Sequence, residues 1–181
     1  MNFIFKLVLT FNATSLLAIL FFIQKEIVLP KFEFLPQWFT SAPDFLSYLI
    51  YIAFPIVLTK VSLNLASFLG VDEFVKGDVV SVEHANNSFL PSYLGYFFVA
   101  LSIASTQTFY FVYGMLFVFT FLSQALYFNP LFLLFGYEFY NVKTKAGATI
   151  FLISKEKYKI PSEVQTSRAA RINNYTFIDL E

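Results

Sequence analysis

Residues 84–137 read HANNSFLPSYLGYFFVALSIASTQTFYFVYGMLFVFTFLSQALYFNPLFLLFGY and contain no Lys, Arg, Asp or Glu. A helix that crosses the hydrocarbon core of a bilayer takes about 20 apolar residues, so this stretch has room for two such helices and a short turn. The polar run Ser105-Thr106-Gln107-Thr108 is the natural turn. Spans are therefore expected over about 89–104 and 109–128, with Asn129-Pro130 ending the second, because proline lacks the N–H that a helix interior needs.

Upstream, residues 3–23 carry Lys6 as their one charge, and a second apolar stretch over 45–60 is bracketed by Asp44 and Lys60. Pro55 inside that stretch is expected to kink it. The first stretch is longer than the apolar part of a cleaved signal peptide, and no Ala-x-Ala site follows it.

Composition agrees with a lipid environment. Of 181 residues, 57% are hydrophobic and 13% charged, against about 45–50% and about 25% in soluble domains. The 26 Phe and 11 Tyr need either a large core or lipid around them, and a chain this short cannot build such a core. The expected fold is a membrane all-α protein: four transmembrane helices within residues 1–136, then a small cytoplasmic β-containing basic segment over 137–181.

Orientation follows from the basic residues, since positively charged connections stay in the cytoplasm. With four spans both termini share a side. That side holds Lys6, Lys60, Lys76, Lys143, Lys145, Lys155, Lys157, Lys159, Arg168 and Arg171, against Lys25 and Lys31 in the first loop. Both termini are expected in the cytoplasm of a multi-pass protein. The first loop, with Phe32, Phe34, Trp38 and Phe39, reads as an interfacial aromatic belt.

The segments outside the spans carry strand signals. Runs 137–142 and 148–153 flank the turn-like Lys143-Thr144-Lys145-Ala146-Gly147, which reads as a β-hairpin. Residues 175–178 could add a strand, and 77–83 form a short β-like run after a turn. Such strands are marginal alone, so they pair with each other, with another subunit or with a partner.

No catalytic signature is present: no Gly-x-Ser-x-Gly, no His-Glu-x-x-His, no phosphate loop, and a single His. With no Cys, thiol chemistry and thiolate metal sites are excluded. The expectation is a non-enzyme without cofactor or metal, Asp72, Glu73, Asp78, Glu83 and His84 reading as a solvated acidic loop. Asn12 and Ser15 in the first span and Thr120 and Gln124 in the fourth need partners in lipid. They make interhelical contacts or, in the alternative reading, line a small homo-oligomeric channel or transporter. Lys143, Lys145, Lys155, Arg168 and Arg171 either touch anionic headgroups or dock an acidic cytoplasmic protein.

Two stretches, Val82-Glu83-His84-Ala85-Asn86-Asn87-Ser88-Phe89-Leu90-Pro91-Ser92-Tyr93 continuing to Ser102, and Gly136 to Ser154, resemble the KwaA family, the membrane subunits of bacterial Kiwa antiphage defence systems. The resemblance implies a homo-oligomeric, tetrameric sensor of phage infection in the inner membrane. It also implies a cytoplasmic DNA-binding effector, KwaB, as partner, so that nucleic acid is not contacted by this chain directly.

Overall fold

A computed structural model describes residues 3–30, 43–87, 90–123 and 129–181, the side chain of Ser92 excepted. These residues form helices α1 (Phe3–Gln24), α2 (Phe45–Ala66), α3 (Leu90–Ser102), α4 (Thr106–Leu122) and the single turn α5 (Leu131–Leu134). They also form strands β1 (Val71–Phe74), β2 (Val79–His84), β3 (Glu138–Thr144), β4 (Thr149–Ser154), β5 (Thr166–Arg171) and β6 (Thr176–Asp179).

The architecture is α+β, which corrects the expected four-span, all-α fold. Among the described residues only α1 and α2 are long and apolar enough to cross a membrane, at 22 residues each. That is about 33 Å of helix against a hydrocarbon core of about 30 Å. Helices α3 and α4 have 13 and 17 residues, or about 20 and 26 Å. The charge-free stretch was thus not all span. Its polar run lies within the first turn of α4, where the Ser105 hydroxyl accepts the Thr108 N–H at 3.1 Å as an N-cap. The expected span boundaries at 89 and beyond 123 fall on residues outside those described, as do the aromatic residues of the first loop.

Helix α1 is the hub of the bundle, packing against α2, α3 and α4. Near its far end the Phe21 ring stacks on Phe109 of α4 at 4.1 Å between centroids. Pro55 does not interrupt α2. The outward faces stay strongly apolar: Phe98 is 68% exposed, Phe111 73% and Val57 62%.

The strand order β1-β5-β6-β4-β3-β2 sets the shape of the sheet. Pairing is antiparallel except between β4 and β6. Consecutive strands β1 and β2 therefore lie at opposite edges, joined by residues 75–78 alone. Five interstrand gaps would separate those edges by about 24 Å in a flat sheet, whereas the five steps from Phe74 to Val79 reach at most about 18 Å. The link is also folded back, since the Asp78 N–H donates to Val75 O at 3.0 Å and Gly77 takes φ +94°. So the sheet curls into a partly open barrel.

Its interior draws on every strand: Phe74, Val79, Val142, Leu152, Ala169 and Phe177 share one apolar cluster. The alternate residues Phe139, Phe151, Ile153, Ala170 and Ile178 point outward. They pack with Phe5 and Leu9 of α1, Ala66 of α2, Tyr93 of α3 and Phe132 of α5. Two-sided burial explains why β4 and β6 are buried along almost their whole length.

Asp179 ends β6 as a carboxylate 1% exposed. One oxygen accepts the hydroxyls of Ser154 at 2.8 Å and Tyr158 at 3.3 Å; the other accepts Thr166 at 2.7 Å and the Glu181 N–H at 3.1 Å. Ser154, Thr166 and Asp179 come from β4, β5 and β6, so the carboxylate ties three strands. Its neighbourhood pushes the Tyr158 hydroxyl up to about 12, through burial first and the Asp179 charge as well. Asp179→Ala would strand three buried hydroxyls, and a loss of about 3 kcal/mol is expected. Thermal melts of the detergent-solubilised chain would show it; an unchanged midpoint would remove Asp179 from this role.

Candidate functional site

Where bundle and sheet meet, the structure assembles a polar bridge in an apolar setting. Asn12, Thr59 and Asn129 are 1%, 0% and 2% exposed. Thr59 lies four residues after Pro55, and its hydroxyl donates to Pro55 O at 2.8 Å. With its proton committed there, the oxygen keeps both lone pairs free. Asn12 Nδ2 donates to it at 2.8 Å from α1, and Asn129 Nδ2 at 3.3 Å from the segment after α4. Thr59 is thereby saturated.

Asn129 uses its other end to start α5, accepting the Leu131 N–H on Oδ1 at 3.0 Å. Phe132 of α5 then sets its ring edge-on to Phe139 at 6.2 Å, and Phe139 stacks on Phe151 of β4 at 5.7 Å. A continuous packed route thus runs from the α1–α2 contact to the outer face of the sheet. Asn12 Oδ1 is the exception in the bridge: among the described residues it is a buried side-chain oxygen without a hydrogen-bond partner.

The residues singled out in the sequence fall on both sides of this route. Asn12 belongs to the bridge, whereas the Ser15 hydroxyl stays within its own helix, donating to Asn12 O at 2.7 Å. Thr120 is half-buried on α4, and Gln124 lies outside the described residues. Lys143 and Lys145 are exposed around the β3–β4 turn, and the Lys145 N–H donates to Asp78 O at 2.8 Å. Lys155 sits over the Tyr137 ring at 5.1 Å. Arg168 and Arg171 lie on β5, separated from β3 by β6 and β4, and Arg171 pairs with Asp72 of β1.

Thr59 and Asn129 were not singled out. The signal available was a polar residue placed beside a proline, four after Pro55 in one case and immediately before Pro130 in the other.

A second polar cluster occupies one end of β3. Glu138 accepts the Tyr140 hydroxyl at 2.7 Å, with His84 Nε2 at 3.2 Å and Lys157 Nζ at 3.8 Å. The Tyr140 hydrogen bond above all, helped by the Lys157 and His84 charges against the cost of burial, holds the Glu138 carboxyl below its usual range. A lowered folded value means that this contribution to stability is complete above the ordinary carboxylate range and disappears as pH falls through the folded value.

Two outcomes follow. Thr59→Val leaves two buried amides without an acceptor and should cost about 2–3 kcal/mol, while Asn12→Leu removes an unpartnered oxygen with its bond and should fall within about 1 kcal/mol of the parent. Equal losses in thermal melts would contradict the bridge as described. Glu138→Gln should flatten the acid side of a melt series from about pH 6 to about pH 3; an unaltered slope would mean that the carboxylate is not linked to folding.

The model of one protein family, described as anti-phage protein KwaA, matches residues 5–178. No curated protein and no solved structure matches the chain. The matched region runs from the first turns of α1 to the third residue of β6, so both the helical bundle and the curled sheet fall within it, and the chain belongs to the KwaA family of antiphage defence proteins.

Proposed function

We propose that the chain is a non-enzymatic membrane sensor and scaffold of a Kiwa defence system, which registers infection through its helices and presents its sheet to a cytoplasmic effector. The observation that carries this reading is the direct seating of the sheet on one pole of the bundle. The start of α1, the end of α2, the start of α3 and α5 all contribute side chains to that junction. A change in helix packing therefore bears on the sheet without an intervening linker.

Membrane insertion is supported by the length of α1 and α2 and by the Phe, Leu and Val side chains on outward faces. Exposed apolar area of this kind is unfavourable in water and neutral in lipid. In the proposed setting α1 and α2 cross the bacterial inner membrane while α3 and α4 pack beside them. The sheet pole takes the cytoplasmic side, because Lys6 and Lys60 lie toward it and the basic residues after α5 belong to it.

The partner surface is placed on the sheet at the turn between β3 and β4, where Lys143 and Lys145 are exposed beside the 75–78 link. A cytoplasmic DNA-binding effector of the KwaB kind, docking an acidic surface there, keeps nucleic acid away from this chain. Coupling requires that infection favour one of two arrangements of the junction, since a stimulus shifts an equilibrium only through differential stability.

The experiment is co-purification of the effector from membranes with the full-length chain. Lys143→Glu with Lys145→Glu should lower recovery by about tenfold, as expected for like charges placed across a contact, while leaving the chain's level in the membrane unchanged. Protection against phage should fall in parallel. Full recovery with the double variant would remove the docking site, and recovery of the parent chain in the soluble fraction would remove the membrane reading.

A further inference from the structure

Strand β2 lies at one edge of the sheet and pairs with β3 alone. The Ala85 N–H donates to Phe139 O at 2.7 Å, which sets the phase of that pairing. In an antiparallel ladder, residues that bond across alternate with residues whose main-chain groups turn away. Ser81 and Glu83 therefore bond to Lys143 and Asn141 of β3, while Val82 and His84 aim their N–H and C=O groups out of the edge. Among the described residues these outward groups have no backbone partner. The short helical turn Pro161–Glu163 packs beside β2 without a main-chain hydrogen bond to it. The strand stays open at both ends, Val80 being 55% exposed and the His84 side chain 51%.

The opposite edge is guarded where this one is not. Strand β1 has four residues, two of them Asp72 and Glu73, and short length and charge are usual devices against unwanted strand pairing. Strand β2 reads Val-Val-Ser-Val-Glu-His, with neither Lys nor Pro. Its bulge is confined to the start, between Val79 and Ser81, and residues 81–84 keep one register with β3.

Charge along the edge identifies the occupant. Lys76, Lys143 and Lys145 are exposed around Asp78 where β2 begins. Lys143 stands opposite Ser81 in the ladder, and a Cβ built on Gly77 would lie 3.8 Å from Lys145 Nζ, so both lysines border that end. Three cations against one carboxylate leave it positive. At the bundle end Lys157 offsets Glu138, and Glu83 is an exposed anion. An extended segment laid along β2 thus meets cations at one end and an anion at the other.

We infer that the cytoplasmic effector adds an extended strand to the free edge of β2, with Asp or Glu residues of that strand at the Lys76, Lys143 and Lys145 end. The inference deepens the docking reading given above and rests on it. Main-chain hydrogen bonds to Val82 and His84 supply affinity, and the lysines fix which way the added strand runs.

The test is amide hydrogen exchange of the full-length, detergent-solubilised chain, alone and with the purified effector, resolved to single residues. Bound effector should slow exchange at Val82 and His84 by about tenfold or more, while Ser81 and Glu83, already bonded to β3, change little. Val82→Pro removes one outward N–H and spares the β3 ladder, a placement that edge strands tolerate. Recovery of the effector from membranes should then fall about tenfold, the worth of a lost main-chain hydrogen bond. A melt reports whether the variant folds, and His84→Pro removes the other outward N–H should it not.

Unchanged exchange at Val82 and His84 in a complex that forms would overturn the inference and leave docking at the lysines standing. Full recovery with folded Val82→Pro would do the same. A parent chain that recovers no effector would overturn the docking reading and the inference together.

Discussion

Four residues between β1 and β2 constrain the rest of this molecule. Because Val75 to Asp78 cannot bridge the edges of a flat six-stranded sheet, the sheet has to close on itself. Closure gives it two apolar faces with different duties. The concave one becomes a core to which all six strands contribute, so the sheet holds its own shape. The convex one then remains available to rest on the pole of the helical bundle. The turn that achieves this is locally secured: Gly77 adopts a φ that favours glycine, and Asp78 caps the turn, its carboxylate accepting the Val75 N–H at 3.2 Å.

The junction gains definition from polar groups rather than from apolar area alone. Apolar packing is non-directional and tolerates small slides, whereas the Thr59 oxygen accepts two amides in a fixed arrangement. That arrangement fixes the relative height of α1, α2 and the start of α5. Its proton points back to Pro55 O, one turn earlier in α2. Asn12 Oδ1 is left over. An acceptor buried without a donor raises the energy of the arrangement that buries it, which is a property suited to a contact that has a second arrangement available.

Local pattern carried some of this architecture and missed the remainder for identifiable reasons. The β3–β4 hairpin is written in neighbouring residues: aromatic and β-branched runs on either side of Gly147, which takes φ +82°. Strand β5, Thr166 to Arg171, has no such writing. Its buried members are Thr166, Ala169 and Ala170, small residues that suit a strand pressed between a core and a helical bundle but that leave no alternation to read. The parallel pairing of β4 with β6 and the separation of β1 from β2 are long-range facts, invisible to any window. The fourfold span count failed for a related reason. Absence of charge over 84–137 says what the stretch avoids, not where its helices stop: α3 ends at Ser102 and α4 at Leu122. At the site, Asn12 was legible because an amide in an apolar helix demands a partner. Thr59 and Asn129 were not, because one stands at the edge of an apolar stretch next to Lys60 and the other beside a proline.

An apolar groove between α1, α2 and α4, lined by Phe11, Ser15 and Phe22 of α1 with Phe54 and Tyr113 opposite, is not independent of the polar bridge. Phe11 and Ser15, which line the groove, flank Asn12, which anchors the bridge, and the Ser15 hydroxyl donates to Asn12 O. One turn of one helix thus faces the groove on one side and Thr59 on the other. Under the proposed reading, a change in how the bilayer packs against α1 shifts α1 toward α2 or α4, because interiors do not sustain voids. A settling of under an ångström is enough to weaken the Asn12 Nδ2 contact with Thr59, which stands at 2.8 Å. The sheet, held to the same helices by Phe5, Leu9 and Phe132, would follow. Under the proposed reading, the variable that reaches the sheet is how well lipid packs against α1.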